Sequence, residues 1–244
     1  MSGTWTSIAQ ARTFVVNMDR CVERWEVSKK RIEDAGFCNV ERFRATDAAH
    51  DDLKAAWAQH GSPKFDPSDK AFVTYPGTQG CMLSHLNIWK KMIDENIEVA
   101  VIFEDDVLFH THWSTLAPRY YEATPKDFDI LFMGNQIEHM IDGHIIQTPV
   151  FCTHAYVITQ KGARILYERL LQDPLGLRAI DCMLIDHMKA KHYRGVPCPF
   201  VWYVWNGSKF PDKSSASKDP RVAKRNTGLV FQDIDLGTFI RPWH

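Results

Sequence analysis

The chain has 244 residues, 45% of them hydrophobic and 24% charged, with a formal net charge of -1. That length fits one large α/β domain, or one domain with a small appendage. The near-neutral balance argues against a basic nucleic-acid binder, so no nucleic-acid partner is expected.

Strand-like and helix-like stretches alternate along the chain. "TFVVNMD" (13–19) is a β-branched run, followed by an amphipathic helix in which Val22, Trp25 and Ile32 recur at helical spacing and which stops at Gly36. "VERFRATDA" (40–48) reads as a returning strand, and residues 50–75 as a short helix at 51–58 and then a loop. After "PGTQG" (76–80) comes a helix with Met82, Leu86, Trp89 and Ile93 on one face. "EVAVIF" (98–103) and "FDILFMG" (128–134) are continuous apolar strands, the pattern of a sheet covered on both faces. A strand at 151–159, helices at 161–172 and 179–193, and a strand at 199–205 complete the series. The alternation predicts an α/β/α sandwich with a mainly parallel central sheet, as a single domain over residues 1–244. The stretch 206–228 is rich in Gly, Ser, Pro and basic residues without apolar periodicity, and reads as a mobile loop, either an active-site lid or a solvated surface segment.

Six cysteines, at 21, 38, 81, 152, 182 and 198, form no CxxC pair and read as reduced, small hydrophobes. The N-terminal "MSGTWTSIAQAR" lacks the basic and apolar regions of a signal peptide. No apolar run approaches the roughly 20 residues of a spanning helix. The expectation is a cytoplasmic protein with no transmembrane segment.

The stretch "VAVIFEDDVLF" (99–109) runs five apolar residues directly into Glu104, Asp105 and Asp106. Ligands of open α/β sheets bind outside the carboxyl ends of the strands. Three adjacent carboxylates at such an end suit a hard divalent cation, Mg²⁺ or Mn²⁺, which shares its shell with a phosphate-bearing substrate. A helix cap or a solvated turn would account for one acid more readily than for three.

"PGTQGCMLSHLNIWKKMI" followed by "AVIFEDDVLF" resembles glycosyltransferase family 25, which includes lipooligosaccharide and collagen glycosyltransferases. The resemblance continues in order through "FVVNMDRCVERW", "ERFRATDA", "THAYVITQKGARIL" and the "AID" that ends at Asp181. It implies a GT-A-type (Rossmann-like) fold and transfer from a nucleotide-sugar, often a UDP-sugar, to a hydroxyl of a glycan or glycoprotein acceptor, with inversion. It also implies a diphosphate held on Mn²⁺ (or Mg²⁺) by the acidic motif. Glu104 and Asp106 take the metal role, with Asp105 facing the ribose or its own backbone. Asn17, Arg20, Arg24, Ser84 and His85 take donor-binding roles. Arg24 could instead pair with an acid on its own helix, and His85 could be a helix-surface histidine bonded to a neighbour. Inversion calls for a base, and Asp181 is the candidate, with helix N-capping as its alternative reading. Asp186 stands five residues on, about 140° round the helix, so one of the two faces the site. The segment "WNGSKFPDKSSASKDPRV" has no match, so donor and acceptor identity are not carried over. His110 and His112, two apart with no third ligand nearby, read as surface residues rather than a zinc pair.

Two other functions use the same features. Metal-dependent phosphoryl hydrolysis also clusters carboxylates, and a non-catalytic sugar-binding pseudoenzyme could keep the fold without turnover.

Overall fold

The computed structural model describes residues 3–61, 76–137, 142–172, 179–207, 226–233 and 236. Among the described residues the elements are α1 (Trp5–Ala9), β1 (Arg12–Asn17), α2 (Val22–Asp34), β2 (Asn39–Arg44), α3 (Leu53–Ala58) and α4 (Pro76–Asp94). There follow β3 (Val99–Glu104), β4 (Val107–Phe109), α5 (Trp113–Ala123), β5 (Ile130–Ile137), β6 (Ile145–Ile146) and β7 (Val150–Thr159). The last are α6 (Gln160–Leu171), α7 (Ile180–Arg194), β8 (Trp202–Trp205), β9 (Asn226–Gly228) and β10 (Val230–Gln232).

The main sheet has the order β2-β1-β3-β7-β5-β8-β6, with β9 added on β5. Strands β2, β1, β3, β5 and β8 run one way, and β7, β9 and β6 run against them. The sheet is thus mainly parallel in strand direction, with the antiparallel β7 set between β3 and β5. Alternate residues of each strand feed opposite faces. Phe14, Ala100, Ile102, Phe132 and Tyr156 pack under α4, α6 and α7, while Val15, Val101, Phe103, Leu131 and Val157 pack under α1, α2 and α5. These two layers of buried side chains make an α/β/α sandwich.

Three local expectations need correction. Val22 is 60% exposed, whereas Ile32 is buried and Trp25 packs against the core as expected, with Ser28 also buried between them. The segment "PGTQG" belongs to α4 rather than to a preceding loop. Proline suits the first helical position, where no intrahelical N–H is required. Gly80 is then explained by contact: a Cβ there would lie 2.4 Å from the Thr46 carbonyl oxygen. Finally, His110 is buried, and its Nδ1 accepts from the His112 backbone N–H at 3.0 Å. It closes a turn rather than facing solvent.

The expected mobile loop lies outside the described residues from 208 to 225. Its last three positions, 226–228, form β9 and pair with Gly134 to Gln136. Immediately after it, β10 pairs antiparallel with β4, which carries the chain back to the acidic motif. No helix among the described residues is long and apolar enough to cross a membrane.

Candidate active site

The parallel register of β1, β2 and β3 sets Val16 opposite Glu104 and Asn17 opposite Arg44. The chain therefore leaves all three strands at one edge. A cleft of about 180 Å³ opens there, with Arg20, Arg24, Ser84, Glu104, Asp105 and Asp106 among its walls. Six of the nine residues singled out in the sequence thus line one cavity.

Asp105, at the cleft wall, is held by its own neighbours. Its Oδ2 accepts from Asn17 Nδ2 at 2.6 Å, and its Oδ1 pairs with the Arg24 guanidinium. The Ser28 hydroxyl donates to its backbone carbonyl at 2.5 Å. Arg24 thus pairs with the motif and not with an acid on its own helix. Asn17 does not line the cleft; it is buried between Asp105, the Cys21 carbonyl and Arg42 Nε. Both residues hold the motif's middle carboxylate in place.

The two outer acids behave differently. Asp106 Oδ2 stands 3.6 Å from Arg24, while its Oδ1 is buried and has no hydrogen-bond partner among the described residues. Burial, and then the Glu104 charge, pushes the Asp106 carboxyl well above the ordinary range. Burial also pushes Glu104 up, but the His85 ring, then His154 and the Thr153 hydroxyl, more than offset this and leave it below its ordinary value. Thr153 donates to Glu104 Oε1 at 3.3 Å, and His85 Nε2 lies 3.7 Å from the same oxygen. A cation between Glu104 and Asp106 would satisfy the orphaned oxygen and relieve the repulsion, so these residues fit a hard divalent ion.

His85 lies behind this pair rather than in the cleft. It is fully buried, with Nδ1 2.8 Å from the Tyr156 hydroxyl, which also accepts from Trp89 Nε1 at 3.1 Å. Ser84 lines the cleft, but its hydroxyl donates to the Gly80 carbonyl at 2.6 Å and accepts from Thr46 N–H at 2.9 Å. It ties α4 to the loop that follows β2. Arg20 reaches the cleft from the turn after β1, and its Nε donates to Asp47 at 2.7 Å.

Asp181 does not line the cleft. It sits in the first turn of α7, where Ala179 is the N-cap, so it is not the capping residue. Its carboxylate accepts from Cys182 N–H at 2.8 Å and from Cys152 N–H at 3.2 Å. Its charge, with those of Glu104 and Asp106, adds to the burial that raises the Cys81 thiol well above its ordinary value. Cys81 Sγ lies within 4.8 Å of a Glu104 carboxylate oxygen.

Several cleft residues escaped sequence reasoning. Asp47 accepts from Arg20, the Ala49 N–H and His50, and Arg20 above all holds its carboxyl down to about 2. The signal was present in "ERFRATDA", which carries the end of β2 and the turn after it, but was read only as an element. Gln232 reaches the cleft from β10, while Asp233 donates its N–H to the Asp106 carbonyl at 2.5 Å and pairs with Arg31 at 2.9 Å. Nothing in the local sequence of 230–233 announces that contact.

The family profile described as glycosyltransferase family 25 (LPS biosynthesis protein) matches residues 10–141. Procollagen galactosyltransferase 1-B of Xenopus laevis is 30% identical over 112 residues, covering 41% of this chain and 18% of that protein. A glycosyltransferase 25 family member of Anopheles gambiae is 28% identical over 182 residues, covering 69% of this chain and 30% of that protein. The chain thus spans less than a third of the length of these curated relatives. Among solved structures, a glycosyltransferase involved in the glycosylation of the major capsid of PBCV-1 covers 94% of both chains at a TM-score of 0.46 and 9% identity.

Proposed function

The chain belongs to glycosyltransferase family 25, and on that premise we propose that it moves a sugar from a nucleotide-sugar to a hydroxyl of a glycan or glycoprotein acceptor. A UDP-sugar is the donor, and the anomeric centre is inverted. One observation carries the reading: Glu104 and Asp106 flank a cleft at the strands' carboxyl edge, and Asp106 Oδ1 is buried there without a partner among the described residues.

Glu104 and Asp106 would hold Mn²⁺ or Mg²⁺. When bound, such an ion supplies Lewis-acid stabilisation of the charge that builds on the departing diphosphate. Arg24 fixes Asp105, so that the motif's outer carboxylates keep their spacing. Arg20, held by Asp47, presents its guanidinium at the cleft wall where a diphosphate oxygen would be bound. His85 and Thr153 favour the ionised form of Glu104. Asp181 takes the proton of the acceptor hydroxyl as that oxygen attacks. All six cysteines are free thiols, which supports a reducing, cytoplasmic setting.

The test is a screen of nucleotide-sugars for nucleotide release, with and without Mn²⁺, in the presence of simple glycan acceptors. Acceptor-dependent release of UDP that stops in EDTA supports transfer. Release of inorganic phosphate instead would favour a phosphoryl hydrolase, and donor binding without release a sugar-binding domain.

A further inference from the structure

We propose that the floor of the cleft carries a second cation site of different chemistry, in which Cys81, His85 and Glu104 bind Zn²⁺. Cys81 and His85 stand four residues apart on α4, so both project from one face of that helix. Cys81 Sγ, a ring nitrogen of His85 and a carboxylate oxygen of Glu104 all lie within 4.8 Å of one another. Zn–S, Zn–N and Zn–O bond lengths put tetrahedral ligand atoms roughly 3.4 to 3.6 Å apart. The separation of His85 Nε2 from Glu104 Oε1, 3.7 Å, already approaches that span. A rotation about the Cys81 Cα–Cβ bond is the adjustment that remains.

The surroundings favour a thiolate-binding ion. His85 is held from behind through Nδ1 by Tyr156, the kind of support that orients a ligating imidazole. In the ion-free protein Nε2 carries the proton that faces Glu104; binding moves the ring proton to Nδ1, toward Tyr156, and frees the Nε2 lone pair for the ion. Glu104 and Cys81 line the cleft, so an ion enters from solvent and keeps a fourth position open on that side. One sulfur, one imidazole and one carboxylate suit Zn²⁺ far better than Mn²⁺ or Mg²⁺, which prefer oxygen. Binding exchanges the Cys81 thiol proton for a Zn–S bond, and the proton passes to solvent.

Glu104 belongs to both sites, so one excludes the other. Resting on the transfer reading above, Zn²⁺ would then act as an inhibitor that competes with the activating ion.

Cobalt(II) is the probe for the site, because it substitutes for Zn²⁺ and shows a thiolate-to-metal charge-transfer band. The full chain, stripped of cations, should develop that band with one equivalent of Co²⁺, and Zn²⁺ should bleach it. Cys81→Ser should abolish the band, and His85→Gln and Glu104→Gln should each weaken Co²⁺ binding about tenfold or more. No band in the native protein, or a band that survives in Cys81→Ser, overturns the proposal. The native titration answers the question even if a variant fails to fold. It involves neither sugar nor Mn²⁺, so its outcome and that of the transfer assay are independent.

Discussion

Arg24 lies between two acids and holds them unequally: its guanidinium bonds Asp105 closely, while its ion pair with Asp106 Oδ2 is looser, at 3.6 Å. The second acid is therefore poorly compensated, and its carboxyl is held well above the ordinary range by burial and by Glu104. A carboxyl whose folded pKa is raised stabilises the fold below its unfolded value and loses that stability as pH rises through the folded one. Asp105, raised mainly by burial, adds in the same direction. Glu104 is lowered and acts oppositely, losing its contribution at acid pH.

Cation-free protein should accordingly lose stability as pH climbs above the ordinary carboxylate range, and Mn²⁺ should restore it. Asp106→Asn should flatten this loss, raising the neutral-pH Tm in EDTA by about 2 to 4 °C per kcal/mol relieved. The same change should remove Mn²⁺-dependent transfer. Thermal melts across pH, with EDTA and with Mn²⁺, check both. Superimposable melts for the variant and the native protein would refute the account.

Arg24→Met should do the reverse to the motif. Both Arg24 and Asp105 side chains are nearly closed off from solvent, at 12% and 9% exposure. Removing one partner of such a pair costs about 3 to 5 kcal/mol, because the other charge is left buried. The deficit should shrink at acid pH, where Asp105 can take up a proton. Urea unfolding at neutral and acid pH measures the difference. A pH-independent deficit would mean that lost packing, not charge, is responsible.

Gly80 allows α4 to approach the loop after β2. A Cβ there would meet the Thr46 carbonyl oxygen at 2.4 Å, and the Thr46 backbone is also held through its N–H by the Ser84 hydroxyl. Gly80→Ala should therefore cost about 1 to 3 kcal/mol, the usual penalty of overpacking. It should also displace Thr46 to Ala49 from the cleft wall and weaken donor binding. Unchanged donor affinity would separate the loop from the site.

The parts of this site legible in the sequence are those that sit on a strong local pattern. Five apolar residues running into Glu104, Asp105 and Asp106 announce a strand end. The helical spacing of Met82, Leu86, Trp89 and Ile93 announces the helix ahead of it, which carries Ser84 and His85. What the pattern could not reveal was direction. His85 is on the motif helix but faces Tyr156 and Glu104, because α4 is covered by the sheet on that side. Asp47 and Gln232 belong to the cleft through pairings between distant segments, β1 with β2 and β10 with β4. Such contacts are set by topology, and no local periodicity encodes them.

Asp181 is the residue whose two readings diverge most sharply under mutation. Its carboxylate holds the Cys152 N–H, and Cys152 has φ of 71°, a left-handed conformation uncommon for a residue with a side chain. As a base, Asp181 should tolerate replacement by Asn structurally but not chemically. Asp181→Asn should slow transfer by about 10² to 10⁴. It should keep donor affinity and abolish the acidic limb of the pH–rate profile. As an anchor for Cys152, it would instead lower the Tm and leave the shape of that profile intact. Cys152→Gly separates the two roles, since glycine adopts positive φ without strain and leaves the carboxylate in place. The expected outcome is a Cys152→Gly protein with a native rate and an Asp181→Asn protein with a native Tm. A rate lost equally in both variants would assign Asp181 to holding the strand and send the search for the base elsewhere.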